Sequence, residues 1–177
     1  MQSIKCFWSL IVILVGEFYV FIELDGWMSR LRFSACHFTP GHPKCGRLHG
    51  HTYGVNVRIE GEQNGEFIMD FGELKPMIMG VCDLLDHKVL LAGRDDRIQV
   101  VEDGNDVEVI VIEDGKRYVF PKEDVVILPI SSASAEDLCQ FVASQLTALL
   151  SNHGNISSIS VRVDEGIGQG AGCTMVL

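Results

Sequence analysis

The segment HGHTYGVNVRIEG, residues 49–61, constrains the fold of this chain more than any other stretch. Apolar and polar residues alternate along it, which is the pattern of a long β-strand with one buried face. The alternation directs these large side chains to that face: Tyr53, Val55, Val57 and Ile59. Because such a face must be covered, the segment predicts a sheet with a second layer packed on it.

Shorter segments predict further elements of this sheet. Strand-like patterns occur at residues 17–24, 31–38 and 156–165. The Asn-Gly pair at 64–65 is a hairpin signal, so we expect the FIMDF segment that follows it to pair back antiparallel. Residues 96–130 are acidic and strand-rich, with another turn signal in the Asp-Gly pair at 114–115.

Two segments predict helices. In the first, apolar residues recur at helical spacing: Leu74, Ile78, Val81, Leu84 and Leu85. Asp70 and Glu73 form a capping box, and Pro76 removes one early backbone bond, so this helix begins late or has a distorted first turn. The second helix begins at Ser134 and ends at Gly154. Its inner stripe is Leu138, Phe141, Val142, Gln145, Leu149 and Leu150.

Together these elements predict one α+β domain over residues 1–177, with an antiparallel sheet and two helices. The apolar run within residues 1–16 is too short to span a bilayer as a helix. It matches the apolar core of a signal peptide, but no small-residue cleavage site follows it. A targeting segment, a structural extension and an over-extended translation start all stay open, and we expect a cytoplasmic protein.

The charge balance limits the class of partner. Lys and Arg number 14 against 24 Asp and Glu, a formal net charge of −10. Because an acidic chain repels a phosphate backbone, we expect no nucleic-acid partner, and a phosphorylated ligand would need a local basic cluster. We also expect no membrane partner. The six cysteines are scattered without a CxxC pair, which favours reduced thiols in an intracellular protein.

The histidines are the first candidates for chemistry. His49 and His51 lie two apart on a strand, so both imidazoles face the same side. His37 ends the preceding strand, and the returning loop can place it opposite them. Three neutral imidazoles with an open fourth position are typical of a catalytic zinc site, so we predict Zn²⁺ here. His42 lies in a loop rich in Pro and Gly and is the weakest ligand candidate.

A cysteine and an Asp-His pair add further reactive groups. Cys45 lies between Lys44 and Arg47, where positive charge favours the thiolate. It could serve as a metal ligand or as a general base. Asp86 and His87 follow the first helix, either as a polar helix end or as a carboxylate–imidazole couple for proton transfer.

The glycine-rich segment VDEGIGQGAGCTMVL is not a dinucleotide loop, because its glycines alternate with single residues and no helix follows. Such glycines suit a close approach of the backbone to a ligand or to a neighbouring subunit. Glu165 ends the preceding strand, and its carboxylate could accept a pair of N–H donors from a heterocycle.

Six motifs in this order, FSACHF, KCGRLHGHTY, IMDFGELK, LLDHK, SAED and VRVDEG, resemble the 6-pyruvoyl-tetrahydropterin synthase and 6-carboxytetrahydropterin synthase family. The resemblance covers about residues 17–92 and 129–173. It implies a tunnelling fold, in which a homo-oligomer (trimer or hexamer) forms a barrel with active sites between subunits. The implied substrate is 7,8-dihydroneopterin triphosphate.

The resemblance also implies a role for each candidate residue. The implied zinc ligands are His37, His49 and His51. The implied catalytic groups are the thiol of Cys45 and a proton relay of Asp86 and His87. The implied pterin anchor is Glu165. The local positive charges that we expect to bind the triphosphate are Lys44, Arg47 and Lys88.

The Cys-x-x-x-His-Gly-His spacing resembles the carboxy-forming branch, which loses triphosphate and acetaldehyde and serves queuosine and archaeosine synthesis. The pyruvoyl-forming branch, generally with a longer gap, is the alternative. A third branch, which makes 6-hydroxymethyl dihydropterin, typically has glutamate in place of the cysteine. A non-catalytic zinc- or pterin-binding protein is the alternative of another class, but it would not need Cys45, Asp86, His87 and Glu165 together.

The chain departs from the family pattern in three places. Residues 134–136 read Ser-Ala-Glu where Thr-Ser-Glu is usual, and the segment after Glu165 is unusually rich in glycine. An acidic hairpin of about residues 94–128 is inserted relative to the compact members. We expect these departures to affect substrate positioning rather than the metal site.

Overall fold

The computed structural model describes residues 20–177, so the extension 1–16 and the start of the predicted strand 17–24 lie outside the described residues. The strands are β1 (Phe21–Leu24), β2 (Arg32–His37), β3 (His49–Gly61), β4 (Lys88–Ala92), β5 (Ile98–Asp103), β6 (Asp106–Val111), β7 (Arg117–Pro121), β8 (Val125–Leu128), β9 (Ile156–Asp164) and β10 (Gly170–Val176). The helices are α1 (Phe71–Leu85) and α2 (Ala135–Leu150). Neither helix is long and apolar enough to cross a membrane.

The long strand β3 organises the main sheet, as the alternation predicted. The strand order is β10-β9-β3-β2-β4-β8, and β1 also pairs with β3. One edge of β3 pairs antiparallel with β2 through residues 49–54 and with β1 through residues 57–60. Its other edge pairs antiparallel with β9. The buried side chains of β3 and β9 join those of α1 and α2 in one core.

The predicted antiparallel pairing holds for β1, β2, β3, β9 and β10 but does not extend to β4 and β8. β4 pairs parallel with β2 on one side and with β8 on the other, so the sheet is mixed. A parallel pair requires a long crossover connection. Residues 38–87, which include β3 and α1, make that crossover between β2 and β4, and residues 93–124 make it between β4 and β8.

The predicted strand FIMDF is also wrong. Only one isolated bridge forms there, between Asn64 and Phe67. Two backbone carbonyls near this segment are instead bonded by the side chain of Asn155, whose Nδ2 donates to Glu62 (2.7 Å) and to Ile68 (2.9 Å). A side-chain amide therefore satisfies backbone groups that a strand would otherwise pair.

Helix α1 begins directly after Asp70, whose side chain accepts the backbone N–H of Gly72 at 2.6 Å. The late start is therefore wrong, and Pro76 lies inside the helix. The capping box does not close, because Glu73 instead accepts His153 Nε2 at 3.1 Å. Leu84 is 56% exposed, while the other predicted core residues of this helix are buried.

Helix α2 has Ser134 as its N-cap, as predicted, but ends at Leu150 rather than at Gly154. Its buried stripe includes Leu146, whereas Leu149 is 47% exposed. Residues four apart stack on one helix face, and this rule continues the stripe from Leu138 through Val142 and Leu146 to Leu150. The predicted members Phe141 and Gln145 lie at the half-buried margin.

The acidic insertion forms a three-stranded antiparallel sheet, β5-β6-β7, rather than a single hairpin. The turn at Asp114-Gly115 joins β6 to β7, as its sequence predicted. The sheet has a small core of its own, made of Phe38, Leu91, Val107, Val109 and Val111.

The glycine-rich segment at the end of the chain forms β10, an edge strand that the sequence analysis missed. It pairs along the whole of its length with β9. A Cβ on Gly170 would lie 2.3 Å from the Val163 carbonyl oxygen and 2.5 Å from Asp164 Oδ1. This position therefore needs glycine so that the two strands can approach each other.

We expect two leucines of α2 to contribute differently to the stability of the fold, because only one of them lies on the buried stripe. Leu146→Ala should lower the free energy of unfolding by about 2–5 kcal/mol, because it leaves a cavity in the core. Leu149→Ala, on the exposed side of the same helix, should cost under about 1 kcal/mol. Urea unfolding followed by circular dichroism measures both. Equal losses would contradict the placement of the stripe.

Candidate active site

Three histidines converge at one end of the main sheet. The antiparallel register of β2 and β3 places His37 directly opposite His49, and His51 follows two residues along β3. The ring centroid of His37 lies 4.5 Å from that of His49 and 5.2 Å from that of His51. One nitrogen of each ring lies within 4.8 Å of the others. This spacing fits one metal ion held by three imidazoles.

Hydrogen bonds orient two of these rings. His37 Nδ1 lies 2.5 Å from the Ala133 carbonyl oxygen, and His49 Nδ1 lies 2.7 Å from that of Arg47. A ring that donates its Nδ1 proton to a carbonyl has an unprotonated Nε2, which can bind a metal. Within residues 20–177, the buried Nε2 atoms of His37 and His51 have no hydrogen-bond partner. Buried polar atoms are rarely left unpaired, so these two nitrogens fit a metal ion.

The electrostatics also favour the metal-binding form of His37. Burial lowers the pKa of His37 to about 4, against the opposing hydrogen bond to Ala133, and His49 and His51 lower it further. At neutral pH the ring is therefore uncharged, which is the form that coordinates a metal.

Tyr53 lies beside the three imidazoles, a position that the sequence analysis assigned only to the core. Its ring centroid is 5.6 Å from that of His51 and 6.0 Å from that of His37. The hydroxyl is buried and lacks a partner in the described part of the chain. Burial raises the pKa of Tyr53 above its usual range, with nearby Glu165 adding to the effect. The continued alternation, His-x-His-x-Tyr, was the signal for this placement.

One cleft of about 770 Å³ joins the histidines to the loop that follows β2. Lys44, Cys45 and Arg47 line this cleft, and so does Glu165. Cys45 is half-buried. His42, the weakest ligand candidate, does not line the cleft, because its Nδ1 accepts the backbone N–H of Cys45 at 2.8 Å and so stabilises the loop turn.

Glu165 directly follows β9 and reaches the histidines. Its Oε1 lies 3.8 Å from His37 Nε2, and its side chain is 22% exposed. The preceding residue, Asp164, was missed by the sequence analysis. Asp164 is buried, and its Oδ2 accepts Trp27 Nε1 at 3.1 Å and Asn56 Nδ2 at 2.9 Å. Its Oδ1 also pairs with Arg162 Nε at 2.7 Å. Asp164 therefore fixes the strand end from which Glu165 projects.

The Asp-His pair is present but lies elsewhere. Asp86 Oδ1 accepts the backbone N–H of Ser34 at 2.7 Å, and Asp86 Oδ2 lies 2.8 Å from His87 Nδ1. The bond from Ser34, and then the contacts with His87, lower the pKa of Asp86. The His87 backbone is left-handed (φ 57°), and its side chain is 83% exposed. A positive φ is uncommon for residues other than glycine, although histidine adopts it more readily than most, and Arg30 is the other such residue among those described.

His87 and Lys88 line a second cleft of about 600 Å³, together with Cys36 and Gly50. Cys36 and Gly50 lie on the face of the β2–β3 pair opposite to His37 and His49, because side chains alternate along a strand. One chain therefore does not bring the Asp86–His87 pair and Cys45 into the same cleft. Lys88 also lies apart from Lys44 and Arg47, and its Nζ donates to the carbonyl of Glu123.

Comparison with known proteins identifies the family. The family model described as 6-pyruvoyl tetrahydropterin synthase matches residues 28–175. The chain belongs to this family. A Methanocaldococcus jannaschii protein assigned as 6-carboxy-5,6,7,8-tetrahydropterin synthase is 41% identical over 154 residues, which are 85% of this chain and 93% of that protein. A Pyrococcus abyssi protein with the same assignment is 35% identical over 137 residues, 75% of this chain and 79% of that protein.

A comparison with solved structures identifies the fold. The 6-pyruvoyl tetrahydropterin synthase of Plasmodium falciparum superposes with a TM-score of 0.81 at 27% identity, covering 90% of this chain and 99% of that one. The chain therefore has the α+β tunnelling fold that its motifs implied, with two helices on one face of the sheet.

We expect the three imidazoles to determine metal content. The loss of a hydrogen-bond partner of a metal ligand already weakens binding about 10- to 100-fold, so His49→Ala should weaken Zn²⁺ binding at least about 100-fold. His42→Ala is the control, because that ring bonds within the loop and should leave bound zinc unchanged. Elemental analysis after dialysis measures both. A similar zinc content in the two variants would rule out the three-histidine assignment.

Proposed function

We propose that this chain is a zinc-dependent 6-carboxytetrahydropterin synthase for 7-deazaguanine (queuosine or archaeosine) biosynthesis. The proposed reaction converts 7,8-dihydroneopterin triphosphate and one water molecule to 6-carboxytetrahydropterin, triphosphate and acetaldehyde. The observation that carries the proposal is that one cleft is lined by three imidazoles spaced to bind one metal ion, by the Cys45 thiol and by the Glu165 carboxylate. The assignment of the Methanocaldococcus jannaschii relative supports this choice of branch.

The proposed metal ligands are His37, His49 and His51, through the nitrogens that converge within 4.8 Å. A bound zinc ion would act as a Lewis acid on oxygens of the substrate side chain. The chain contributes the fixed geometry: two of the rings are oriented by carbonyl groups, so the site is built before any ligand arrives.

Cys45 is the proposed general base that removes the proton from the substrate side chain. Its place in the same cleft as the histidines puts a thiol beside the substrate position that the metal site would define. Lys44 and Arg47 line the cleft on either side of it and are proposed to bind the triphosphate. They are the local positive charges that an acidic chain needs for such a substrate.

Glu165 is the proposed anchor of the pterin ring. A carboxylate can accept two parallel N–H bonds, and this geometry fixes a planar heterocycle better than a single bond does. The buried network around Asp164 holds the end of β9, so the Glu165 side chain projects from a rigid support. Its 3.8 Å distance from His37 Nε2 places the anchor next to the proposed metal site.

Asp86 and His87 are the proposed proton relay, supplied by a second copy of the chain. Asp86 holds the His87 ring through Nδ1, which leaves Nε2 free to exchange a proton. The ring is 83% exposed, so another subunit can reach it. We therefore propose a homo-oligomer, trimer or hexamer, in which the relay and Lys88 of one copy face Cys45 of another.

The second candidate function is that of a 6-pyruvoyl-tetrahydropterin synthase, the activity for which the matching family and the Plasmodium enzymes are named. The site we describe could serve either branch, since both use the same substrate. A non-catalytic zinc- or pterin-binding protein is a weaker candidate. Its site would not need an oriented Asp86–His87 pair or a thiol in the cleft.

Product analysis tests the proposal directly. The zinc-loaded protein incubated with 7,8-dihydroneopterin triphosphate should yield 6-carboxytetrahydropterin and acetaldehyde by mass spectrometry. Cys45→Ala should lower turnover by about two to four decades, the usual contribution of a positioned base, and leave bound zinc near the wild-type amount. A pyruvoyl product would select the second candidate. The absence of any product from the zinc-loaded protein would contradict both.

A mixing experiment tests whether the site lies between subunits. Cys45→Ala and His87→Ala should each be nearly inactive alone. If Cys45 of one copy meets His87 of another, each site in an equal mixture has a chance of one half of receiving the native cysteine and one half of receiving the native histidine. Random hybrids should therefore regain about a quarter of the wild-type sites. Activity would be measured after joint unfolding and refolding. Hybrids that stay as inactive as the parents would place the relay elsewhere.

A further inference from the structure

The inserted sheet β5-β6-β7 contacts the loop that carries Cys45. Phe38 begins this loop, residues 38–48, and is 4% exposed in the small core of the insertion with Val107 and Val109 of β6. The Phe38 ring also packs against that of Tyr118 on β7, with centroids 5.2 Å apart. The first residue of the loop is therefore part of the core of the insertion.

Arg97 lies at the start of the insertion in a fixed position. Its Nε donates to Asp95 Oδ1 and its Nη2 to Asp95 Oδ2, both at 2.8 Å. The backbone N–H of Arg97 adds a third bond to the same carboxylate at 3.0 Å. Asp95 is only 7% exposed, whereas the Arg97 side chain is 43% exposed, so the guanidinium lies at the surface over a buried carboxylate. A guanidinium bound in this way has one defined orientation.

The remaining arm of the guanidinium reaches the loop. Arg97 Nη1 donates to the carbonyl of Pro40 at 2.9 Å. The other hydrogen bonds of residues 39–46 found within residues 20–177 join members of the loop to one another. Among them, the backbone N–H of Thr39 donates to the carbonyl of Cys45 at 2.7 Å. Thr39 is bonded to Pro40 in the chain and to the Cys45 carbonyl by this hydrogen bond, so the backbone of Cys45 is connected to the Arg97 contact at Pro40.

We propose that Arg97 is a positioning residue for this loop, and that the inserted sheet thereby sets where Cys45 stands in the cleft. Arg97 does not line the cleft and acts only through the Pro40 carbonyl. Only the catalytic consequence of this proposal rests on the proposed function. Its structural consequence, a loop fixed by the insertion, holds for any substrate.

Arg117 provides a matched control on the same sheet. It also pairs with a carboxylate, that of Glu108, but its side chain is 64% exposed and makes no contact with the loop among the hydrogen bonds and ion pairs of residues 20–177. The same substitution, Arg→Lys, therefore removes a planar fork at both positions and keeps the charge. Only at Arg97 does the substitution also remove the bond to the loop.

Hydrogen exchange tests the position of the loop without any substrate. Arg97→Lys should speed the exchange of a peptide covering residues 38–48 by about 10- to 100-fold, the loss expected for one hydrogen bond from a charged donor. Arg117→Lys should leave that peptide unchanged. Iodoacetamide should alkylate Cys45 several-fold faster in Arg97→Lys, because the half-buried thiol becomes more accessible. Equal exchange and equal alkylation in the two variants would overturn the proposal.

Steady-state kinetics test the catalytic consequence. In zinc-loaded Arg97→Lys, kcat should fall and KM should rise together, since the loop carries Lys44 and Arg47 as well as Cys45. A variant that is only less stable would lose active molecules, which lowers kcat and leaves KM unchanged, and that result would overturn the proposal. If Arg97→Lys does not fold, Tyr118→Leu should give the same faster loop exchange. Altered loop exchange in a protein whose wild type makes no pterin product would reject the proposed function and leave the positioning role standing.

Discussion

The antiparallel pairing of β2 with β3 is the constraint on which the rest of the structure depends. Its register places His37 opposite His49 and keeps His51 on the same face. A shift of one residue would turn every side chain of a strand to the other face and would separate the three rings. The stacked rings of Phe33 and Tyr53, with centroids 4.6 Å apart, pack within the same strand pair. The strand pair therefore holds the core and the candidate metal site in one register.

Buried polar groups show where this fold is built for function. Two buried carboxylates are paired: Asp95 with Arg97, and Asp164 with Trp27, Asn56 and Arg162. Of the five buried side-chain atoms without a hydrogen-bond partner among the described residues, three lie at the histidines: the Nε2 atoms of His37 and His51 and the Tyr53 hydroxyl. The other two are His153 Nδ1 and Asp164 Oδ1, and the latter forms an ion pair with Arg162. The three atoms at the histidines lie close together, so a single ligand in the cleft could bond to them.

The two faces of the β2–β3 pair carry different parts of the proposed chemistry. One cleft holds the three histidines and Cys45, and the other holds His87 and Lys88, while His51 lines both clefts. The segments that flank the inserted sheet contact both regions. Arg97, just before β5, donates to the Pro40 carbonyl on one side, and the Glu123 carbonyl, just after β7, accepts a hydrogen bond from Lys88 on the other. The acidic insertion thus contacts both the loop that carries Cys45 and the side chain of Lys88.

The sequence by itself determined the local part of this structure. It fixed the long strand β3 and the N-caps of both helices, and it identified the residues that could bind a metal, because alternation, capping and ligand type are properties of neighbouring residues. It did not determine the parallel pairing of β4 with β2 and β8, the edge strand β10, or the replacement of the FIMDF strand by bonds from Asn155. Those features depend on which distant segments meet. Only the tertiary structure decided that Asp86 and His87 face away from Cys45 and that Arg97 reaches Pro40, because a side chain's direction across a sheet depends on partners far away in the chain.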